Sequence, residues 1–511
     1  MKVLLMDSPY AVFTGYCERF FASGMASIAA ILRQAGHEVA IFEADTLRES
    51  DDLDFGSEYL RLQAYINGLN NSSHWIWPKI YQVLEEFRPD VVGITAVTMK
   101  FGSTVRVAEL CKVYNPNMKV IVGGPHATDW PAMSLQSPAV DFNVAGEAEE
   151  SVLSLVQAIE AGSEDYENIP GLTYRRNGQT ILGTHPKPPR DLDIFPYPAR
   201  DLLMNPGRYT SEDMGLVLTS RGCPYDCAFC SHERHVRYRS LDNVMGEIRL
   251  CIERYRTRQF TFKDDSFTVN RKRTIDFCRR LISEGLGINW ECTTRVNLLD
   301  DELLELMVKS GLNNVKVGIE TGSERILRSI SKKASFDQMR AAAAGFNKHH
   351  IFWTGYFMYG LPDETFEDMQ ATFRLMKELT PPHAGLGLYA PYPNTQLWHD
   401  GVRLGLINPD VELDHFFNTN PKDYFFADPQ HRVVQMSHEE LEEAAAWMMT
   451  RFNKHNTQVK TLLRRGWTRR KLYLRDWRLL HGDVVKALTW LGLLGRGPAR
   501  HRRQRTSVTP P

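Results

Sequence analysis

The feature that most constrains this fold is a repeated alternation of short apolar segments with amphipathic ones. Between residues 1 and 162, runs rich in Val, Ile and Leu alternate with segments whose apolar positions recur every three or four residues. Apolar strands separated by amphipathic helices are typical of a parallel sheet that is covered on both faces. The sequence therefore predicts an N-terminal doubly wound α/β domain at residues 1–162.

A second alternation follows a connecting segment. Asn177-Gly178 stands between two short strand-like runs and predicts a hairpin. The five prolines within residues 185–200 exclude a helix or a central strand there. Residues 163–209 are thus predicted to be a linker with a hairpin. Six strand–helix units between residues 215 and 406 then predict a (β/α) barrel, complete or partial, at residues 210–430.

The net charge of -1 is a cancellation between two parts of the chain. From residue 451 to the end, 16 Lys or Arg oppose only two Asp, so this part carries +14 and the preceding part -15. Residues 431–511 are predicted to be a basic helical C-terminal region whose end, after residue 497, is disordered. One helical face would be apolar, and it comprises Leu480, Val484, Leu488 and Leu491.

The basic tail allows several interpretations. Cations beside Trp467, Trp477 and Trp490 suit an anionic membrane surface, or a lipid-like substrate arriving from it. Surface binding would then place the barrel mouth near hydrophobic substrates. A helical cap on the barrel with solvated arginines is an equal alternative. No recognition motif accompanies the charge, so we expect no nucleic acid partner. Without an apolar run of about 18 residues or a signal cleavage site, we expect a cytoplasmic protein. If the tail binds a membrane, that contact would be peripheral.

Three cysteines crowd into eight residues after the first barrel strand. Cys223, Cys227 and Cys230 have the spacing Cys-x3-Cys-x2-Cys, and soft thiolates favour an iron–sulfur cluster or zinc. A 4Fe-4S cluster held by three cysteines would keep one iron open, whereas zinc would take a fourth ligand such as His232. The spacing favours iron–sulfur, because structural zinc sites usually repeat a Cys-x2-Cys pair. Buried cysteines without metal are the third alternative.

These cysteines, with Phe229 before the last of them, resemble the signature of the radical S-adenosylmethionine (SAM) enzymes. The resemblance implies a 4Fe-4S cluster whose open iron is chelated by SAM, with Phe229 near the adenine. It also implies cofactor contacts at later strand ends. Asp264 and Asp265 would replace the family's usual Gly-Gly-Glu turn, Arg295 would bind the SAM carboxylate, and Glu320 would contact the ribose or the amino group.

A doubly wound domain directly before such a barrel resembles the cobalamin-binding branch of these enzymes. Cobalamin would be held at the carboxyl ends of three strands, where paired glycines permit close approach. The alternative is that these glycines and threonines serve only as turns and caps. The chain lacks the Asp-x-His-x-x-Gly motif, so no histidine is expected below cobalt, and His126 is expected to be a loop residue. The predicted contacts are Thr95, Thr98, Gly123, Gly124, His126, Thr128, Gly146 and Glu147.

The resemblance implies an enzyme that abstracts hydrogen with a 5'-deoxyadenosyl radical from a small-molecule or lipid-like substrate. An electron donor such as flavodoxin or ferredoxin would be its partner. The leading hypothesis is a C-methyltransferase. The alternatives are an oxidative cyclase or hydroxylase, similar to the anaerobic magnesium-protoporphyrin monomethyl ester cyclases, and a ring-rearranging enzyme. A cobalamin sensor with a structural cluster is the hypothesis without catalysis.

Overall fold

The computed structural model describes residues 1–14, 21–47, 58–184, 186, 188–419, 436–474 and 477–490. Two sheets organise these residues, one for each predicted α/β unit; the first is mainly parallel and the second is wholly parallel. The predicted disordered end after residue 497 lies outside the described residues.

The first sheet has seven strands in the order β2-β1-β3-β4-β5-β6-β7, and its first five strands are parallel. The strands are β1 (Lys2–Asp7), β2 (Glu38–Glu43), β3 (Val91–Thr95), β4 (Lys119–Gly123), β5 (Phe142–Val144), β6 (Leu172–Arg176) and β7 (Gln179–Leu182). The helices are α1 (Ala11–Thr14), α2 (Ser23–Gln34), α3 (Glu58–Leu69), α4 (Ile76–Phe87), α5 (Phe101–Tyr114), α6 (Pro125–Asp129) and α7 (Glu149–Glu160).

The hairpin predicted at Asn177-Gly178 is confirmed, and it joins β6 to β7. Both turn residues have positive φ, 52° and 79°, as this type of tight turn requires. β6 pairs antiparallel with β5, and Leu172 and Tyr174 are buried against the first sheet. Part of the segment predicted as a linker therefore extends the first sheet, while the boundary at residue 162 stays a prediction.

The second sheet has six parallel strands in the order β15-β14-β13-β12-β11-β8. All six predicted strands are present, and in the described chain β8 and β15 do not pair, so the barrel is partial. A separate antiparallel pair is formed by β9 and β10. The strands are β8 (Leu216–Val217), β9 (Ser220–Arg221), β10 (Arg237–Tyr238), β11 (Gln259–Phe262), β12 (Asn289–Thr294), β13 (Leu312–Glu320), β14 (Phe352–Tyr359) and β15 (His383–Leu388).

Helices follow the barrel strands because their starts are capped and one face of each is apolar. Ser335, Thr365 and Ser437 form capping boxes, and five other helix starts have a Ser, Thr, Asn or Asp side chain that accepts a backbone N–H. The helices are α8 (Leu241–Tyr255), α9 (Arg271–Glu284), α10 (Asp301–Lys309), α11 (Glu324–Ser329), α12 (Phe336–Lys348), α13 (Phe366–Leu379), α14 (Gln396–Arg403), α15 (His415–Asn418), α16 (His438–Asn456), α17 (Val459–Tyr473) and α18 (Trp477–Trp490).

The basic tail docks at the amino ends of the barrel strands. Arg465 Nε donates to the Pro382 carbonyl at 3.2 Å, and Arg464 Nη1 donates to the Thr380 carbonyl at 3.3 Å. Both carbonyls precede β15, whereas the cysteines follow β8, so the two features lie at opposite ends of the parallel sheet. These bonds of α17 support the cap interpretation and give no support to a tail-bound surface at the barrel mouth, which stays a prediction.

The outer surface of the tail nevertheless carries large apolar side chains. Trp467 is 63% exposed and Trp477 is 70% exposed. Leu480 and Val484, from the predicted apolar face, are each 43% exposed. In the described part of the chain, every helix is too short or too polar to cross a bilayer.

Candidate cofactor site

The three cysteines lie in one loop that is closed at its base by β9 and β10. Arg221 and Arg237 are opposite each other in this ladder, so residues 222–236 form a closed loop between them. The Cys223 N–H donates to the Glu233 carbonyl at 2.8 Å, and the Cys230 N–H donates to the Cys227 carbonyl at 3.0 Å. The loop thus folds back on itself. This is the shape that three cysteines at this spacing need to reach one cluster.

The residues of this loop fit an iron–sulfur cluster. Cys223, Cys227 and Cys230 are all free thiols, and Cys227 is buried. Within the described ranges, no three His, Cys, Asp or Glu side chains converge on one metal ion. Each iron of a cluster takes its own thiolate, so the three sulfurs need not converge on a point. Phe229, between the last two cysteines, packs partly buried against the core.

His232, considered above as a zinc ligand, contacts Cys230 and Asp265. Its Nδ1 lies 3.2 Å from Asp265 Oδ1. Burial alone would raise the pKa of the Cys230 thiol, but the hydrogen bond and charge of His232 bring that pKa below its usual value. The same hydrogen bond raises the pKa of His232. Burial raises the pKa of Cys223, although a backbone hydrogen bond of Tyr225 and the charge of Arg295 act in the opposite direction. The loop therefore favours the thiolate form more at Cys230 than at Cys223.

Arg295 lies against the cysteine loop. Its Nη1 donates to Cys227 Sγ at 3.2 Å, and its Nη2 donates to the Lys333 carbonyl at 3.3 Å. The guanidinium lies 3.9 Å from the centre of the Tyr225 ring. This placement brings a buried cation to the cluster-binding residues, and its contact with the SAM carboxylate stays a prediction.

Asp264 and Asp265 hold the chain where it enters the cysteine loop. The buried Asp264 carboxylate accepts hydrogen bonds from Thr219 N at 2.6 Å, Thr219 Oγ1 at 2.5 Å and Ser220 Oγ at 2.8 Å. Asp265 Oδ2 accepts from Gly222 N at 3.2 Å. Both carboxylates are thus used inside the protein, and their predicted contact with the SAM amino group stays a prediction.

Glu320 pairs with a lysine that sequence reasoning did not single out. Glu320 Oε1 lies 2.6 Å from Lys332 Nζ, and both side chains are less than a tenth exposed. Glu320 has φ of 68°, an uncommon conformation for a glutamate. A Cβ at Gly318 would lie 2.0 Å from Glu320 Oε1. The pair therefore depends on a glycine two residues earlier, and a SAM contact by Glu320 stays a prediction.

The predicted cobalamin contacts follow β3, β4 and β5, and hydrogen bonds join two of their loops. Thr128 Oγ1 accepts from Gly146 N at 2.8 Å and donates to the Gly124 carbonyl at 2.9 Å. Gly124 has φ of 100°, and a Cβ there would lie 2.9 Å from both the Ala96 carbonyl and Thr95 Oγ1. Gly123 ends β4. Gly124 is thus required by the close packing of the loops after β3 and β4. Gly123, Gly124 and Gly146 form a glycine-lined edge, whose contact with cobalamin stays a prediction.

His126 lies behind these loops and is fully buried. Its Nδ1 is 3.1 Å from Thr98 Oγ1, and its ring stacks on Phe101 at 3.8 Å. Trp130 and Phe416 pack edge-on against the same ring. Burial lowers the pKa of His126 to about 3. His126 thus lies in α6 instead of a loop, as a neutral side chain within an aromatic cluster, and its predicted contact with cobalamin stays a prediction.

Glu147 bonds to the barrel instead of facing an open edge. Its Oε2 lies 2.7 Å from Arg221 Nη1 and 3.0 Å from Arg237 Nη1. Its predicted contact with cobalamin stays a prediction. Sequence reasoning missed both arginines. Arg221 could have been noticed because it precedes the Gly222-Cys223 pair, whereas nothing local marks Arg237.

Comparisons with known proteins agree with this two-part site. The family model of the Radical SAM superfamily matches residues 217–376, and the model of the B12 binding domain matches residues 19–156. The first implies a 4Fe-4S cluster and SAM, and the second implies cobalamin.

Relatives match over long parts of the chain. An uncharacterized methyltransferase of Pyrococcus horikoshii is 35% identical over 66% of this chain and 77% of its own length. The anaerobic magnesium-protoporphyrin IX monomethyl ester cyclase of Rubrivivax gelatinosus is 29% identical over 63% of this chain, which spans only 60% of the cyclase. Cytidylyl-2-hydroxyethylphosphonate methyltransferase of Streptomyces wedmorensis is 26% identical over 81% of this chain and 84% of its own length.

A solved structure shares the fold. The radical SAM methyltransferase TsrM of Kitasatospora setae, with cobalamin and a 4Fe-4S cluster bound, covers 88% of this chain and 88% of its own length. Its TM-score is 0.64 at 15% identity. With both family models matched in this order and a relative above 30% identity, the chain belongs to the radical SAM enzymes that carry an N-terminal cobalamin-binding domain.

Proposed function

We propose that this enzyme is a C-methyltransferase that acts on a small-molecule or lipid-like substrate. The observation that carries the proposal is the direct contact between the two proposed cofactor sites, the glycine-lined edge and the cysteine loop. Glu147, one residue after the glycine-lined edge, pairs with Arg221, two residues before Cys223. When bound, the cluster with SAM supplies a radical that abstracts hydrogen, and cobalamin supplies a methyl group. Both must reach one substrate carbon, so adjacent binding edges suit methyl transfer.

The chain's own residues would have separate tasks in this reaction. Cys223, Cys227 and Cys230 would hold the cluster, and Arg295 would keep a buried positive charge beside the Cys227 sulfur. The glycine-lined edge would hold cobalamin from one side. Methyltransferases among the relatives, including one aligned over 81% of this chain, support the same reaction class.

Oxidative cyclisation is the second candidate, and the cyclase relative of Rubrivivax gelatinosus favours it. A cyclase would consume SAM only as a source of the radical. A methyltransferase would consume SAM twice, as oxidant and as methyl source. The two candidates therefore differ in the by-products that they release.

The test uses the full chain, reconstituted anaerobically with iron, sulfide and hydroxocobalamin and reduced with titanium citrate. SAM with a deuterated methyl group is the probe, and a small-molecule and lipid extract supplies candidate substrates. Mass spectrometry measures S-adenosylhomocysteine, 5'-deoxyadenosine and the deuterated methyl group in any product. We expect both by-products. Formation of 5'-deoxyadenosine without S-adenosylhomocysteine would favour the cyclase and overturn methyl transfer. Neither by-product would support the cobalamin sensor.

The proposed setting of the reaction is the cytoplasm, where a reducing environment protects free thiols and an oxygen-sensitive cluster. All seven cysteines among the described residues are free. Flavodoxin or ferredoxin would deliver the electron that starts SAM cleavage. Replacing titanium citrate with reduced flavodoxin, or with reduced ferredoxin, in the same assay tests these electron donors. If neither donor yields 5'-deoxyadenosine, this part of the proposal is contradicted.

A further inference from the structure

Glu147 joins the two domains through an arginine on each side of the cysteine loop. Glu147 Oε2 is 2.7 Å from Arg221 Nη1 and 3.0 Å from Arg237 Nη1, and Glu147 Oε1 also pairs with Arg237 Nη2. The Arg237 side chain is 3% exposed and that of Glu147 22%. Charge-assisted pairs of this kind, partly removed from water, are directional and stronger than those between neutral groups.

The two arginines occupy the base of the cysteine loop. They lie opposite each other in the β9–β10 ladder, so one carboxylate bridges both ends of residues 222–236. Arg221 also pairs with Glu149 at the start of α7. On the barrel side, Asp265 holds Gly222 of the same loop. The loop base is therefore fixed from both domains at once.

On the other side, Glu147 is continuous with the glycine-lined edge. Gly146 N donates to Thr128 Oγ1, which in turn donates to the Gly124 carbonyl. A short series of bonds thus runs from the loop after β4, through Glu147, to the residue before Gly222. Any change in the distance between the glycine-lined edge and the cysteine loop must stretch or break one of these bonds.

We propose that Glu147 is a positioning residue, which fixes the cysteine loop against the glycine-lined edge through Arg221 and Arg237. The carboxylate acts by holding these two guanidinium groups, without touching a cofactor. Reactions between held groups depend steeply on their separation, so a loosened loop loses rate while its ligands stay in place. The inference rests on the family's cofactors and is independent of the substrate.

The test compares Glu147→Gln with Glu150→Gln in the full chain, reconstituted with iron, sulfide and hydroxocobalamin. Glu150 is exposed on the first turn of α7, so its variant makes the same charge change away from the loop. We expect both variants to keep their iron. Glu147→Gln should slow reductive cleavage of SAM to 5'-deoxyadenosine by about 10- to 100-fold. It should also change the electron paramagnetic resonance spectrum of the reduced cluster with SAM added.

Equal cleavage rates and equal spectra in the two variants would overturn the inference. If Glu147→Gln fails to fold, Arg221→Gln replaces it, because Arg237 then still pairs with Glu147. A smaller change in both readouts is expected for Arg221→Gln, and no change would also overturn the inference. If the unaltered enzyme makes no 5'-deoxyadenosine, the proposed function fails, while the cluster spectrum still reports on Glu147.

Discussion

Glu247 and Glu147 are each held by two arginines, but at different depths. Glu247 on α8 accepts from Arg200 Nη2 at 2.6 Å and from Arg239 Nη1 at 2.5 Å, and its side chain is 1% exposed. Glu147 has a similar pair of partners and is 22% exposed. The Glu247 cluster secures the connecting segment to the barrel, whereas the Glu147 cluster joins the glycine-lined edge to the base of the cysteine loop.

The difference shows how one motif serves two purposes. Water is excluded from Glu247, so removing it leaves two buried cations without a counter-charge. Arg200 also donates to the carbonyls of Met214 and Leu216, which makes the cluster part of the core. Glu147 is partly solvated, so its loss costs less stability and has its main effect on the position of the cysteine loop.

The largest expected effect comes from the loop that Glu147 holds. Replacing Cys223, Cys227 and Cys230 together with Ala should abolish bound iron and SAM cleavage, because no thiolate remains for the cluster. The β9–β10 ladder and both arginine clusters stay intact, so the fold should persist. Iron analysis and circular dichroism after anaerobic reconstitution measure both quantities. Retained iron, or zinc in place of iron, would contradict the assignment of the cluster.

Glu247→Ala should produce the largest loss of stability. We expect a decrease in the free energy of unfolding of about 3–5 kcal/mol, the usual cost of breaking a buried ion pair. Urea unfolding followed by tryptophan fluorescence measures it, with Glu147→Ala as the comparison. An equal or larger loss for Glu147→Ala would break the distinction between the two clusters.

Glu364 is a buried carboxylate for which the described residues form no ion pair, and its pH dependence differs from that of Glu247. Burial raises the pKa of Glu364 from 4.5 to about 8, although the N–H groups of Gly360 and Leu361 donate to it. Because the pKa of Glu364 is higher in the folded state, its contribution to the free energy of unfolding is fully present below pH 4.5, the ordinary pKa. That contribution is lost as the pH rises through about 8, the pKa in the fold. Glu247 is the opposite case. The pKa of Glu247 is lowered, because the attraction of Arg200 and Arg239 exceeds the effect of burial. Its contribution to the free energy of unfolding is therefore present above pH 4.5 and is lost as the pH falls below that value.

Glu364→Gln should therefore become more stable relative to the unaltered chain between pH 5 and pH 8. The amide oxygen still accepts from the backbone, and it carries no charge to desolvate. We expect the difference in free energy of unfolding to grow by about 1 kcal/mol or more over this range. Thermal unfolding at pH 5, 6.5 and 8 measures it. A constant difference would show that Glu364 is ionised in the fold at pH 5.

The smallest and most salt-dependent effect is expected for vesicle binding by the basic tail, which docks at the amino ends of the barrel strands. Exposed Trp467 and Trp477, among many cations, should bind anionic vesicles with about 1 kcal/mol for each engaged cation. Sedimentation at low and high salt compares the full chain with one ending at Gln458, since ending at Thr450 would remove buried Phe452 of α16. Trp467→Ala with Trp477→Ala is the second variant.

Equal sedimentation of the full and shortened chains would remove the membrane interpretation of the tail. Binding that is lost with the two tryptophans and reduced by salt would support a peripheral contact. The cysteine loop would then face away from the bilayer, because the tail docks at the amino ends of the strands.

The sequence alone determined the two α/β units, their order, the six barrel strands, the hairpin at Asn177-Gly178 and the cysteine spacing. Each of these is recorded locally, in the period of apolar residues, in a turn dipeptide or in three residues within eight. Only the tertiary structure decided that β6 joins the first sheet, that Lys332 meets Glu320 and that Glu147 bonds to Arg237, which is 90 residues away. A polar partner across such a distance depends on how two domains pack, and a charged residue looks the same in a sequence whether it pairs or faces water.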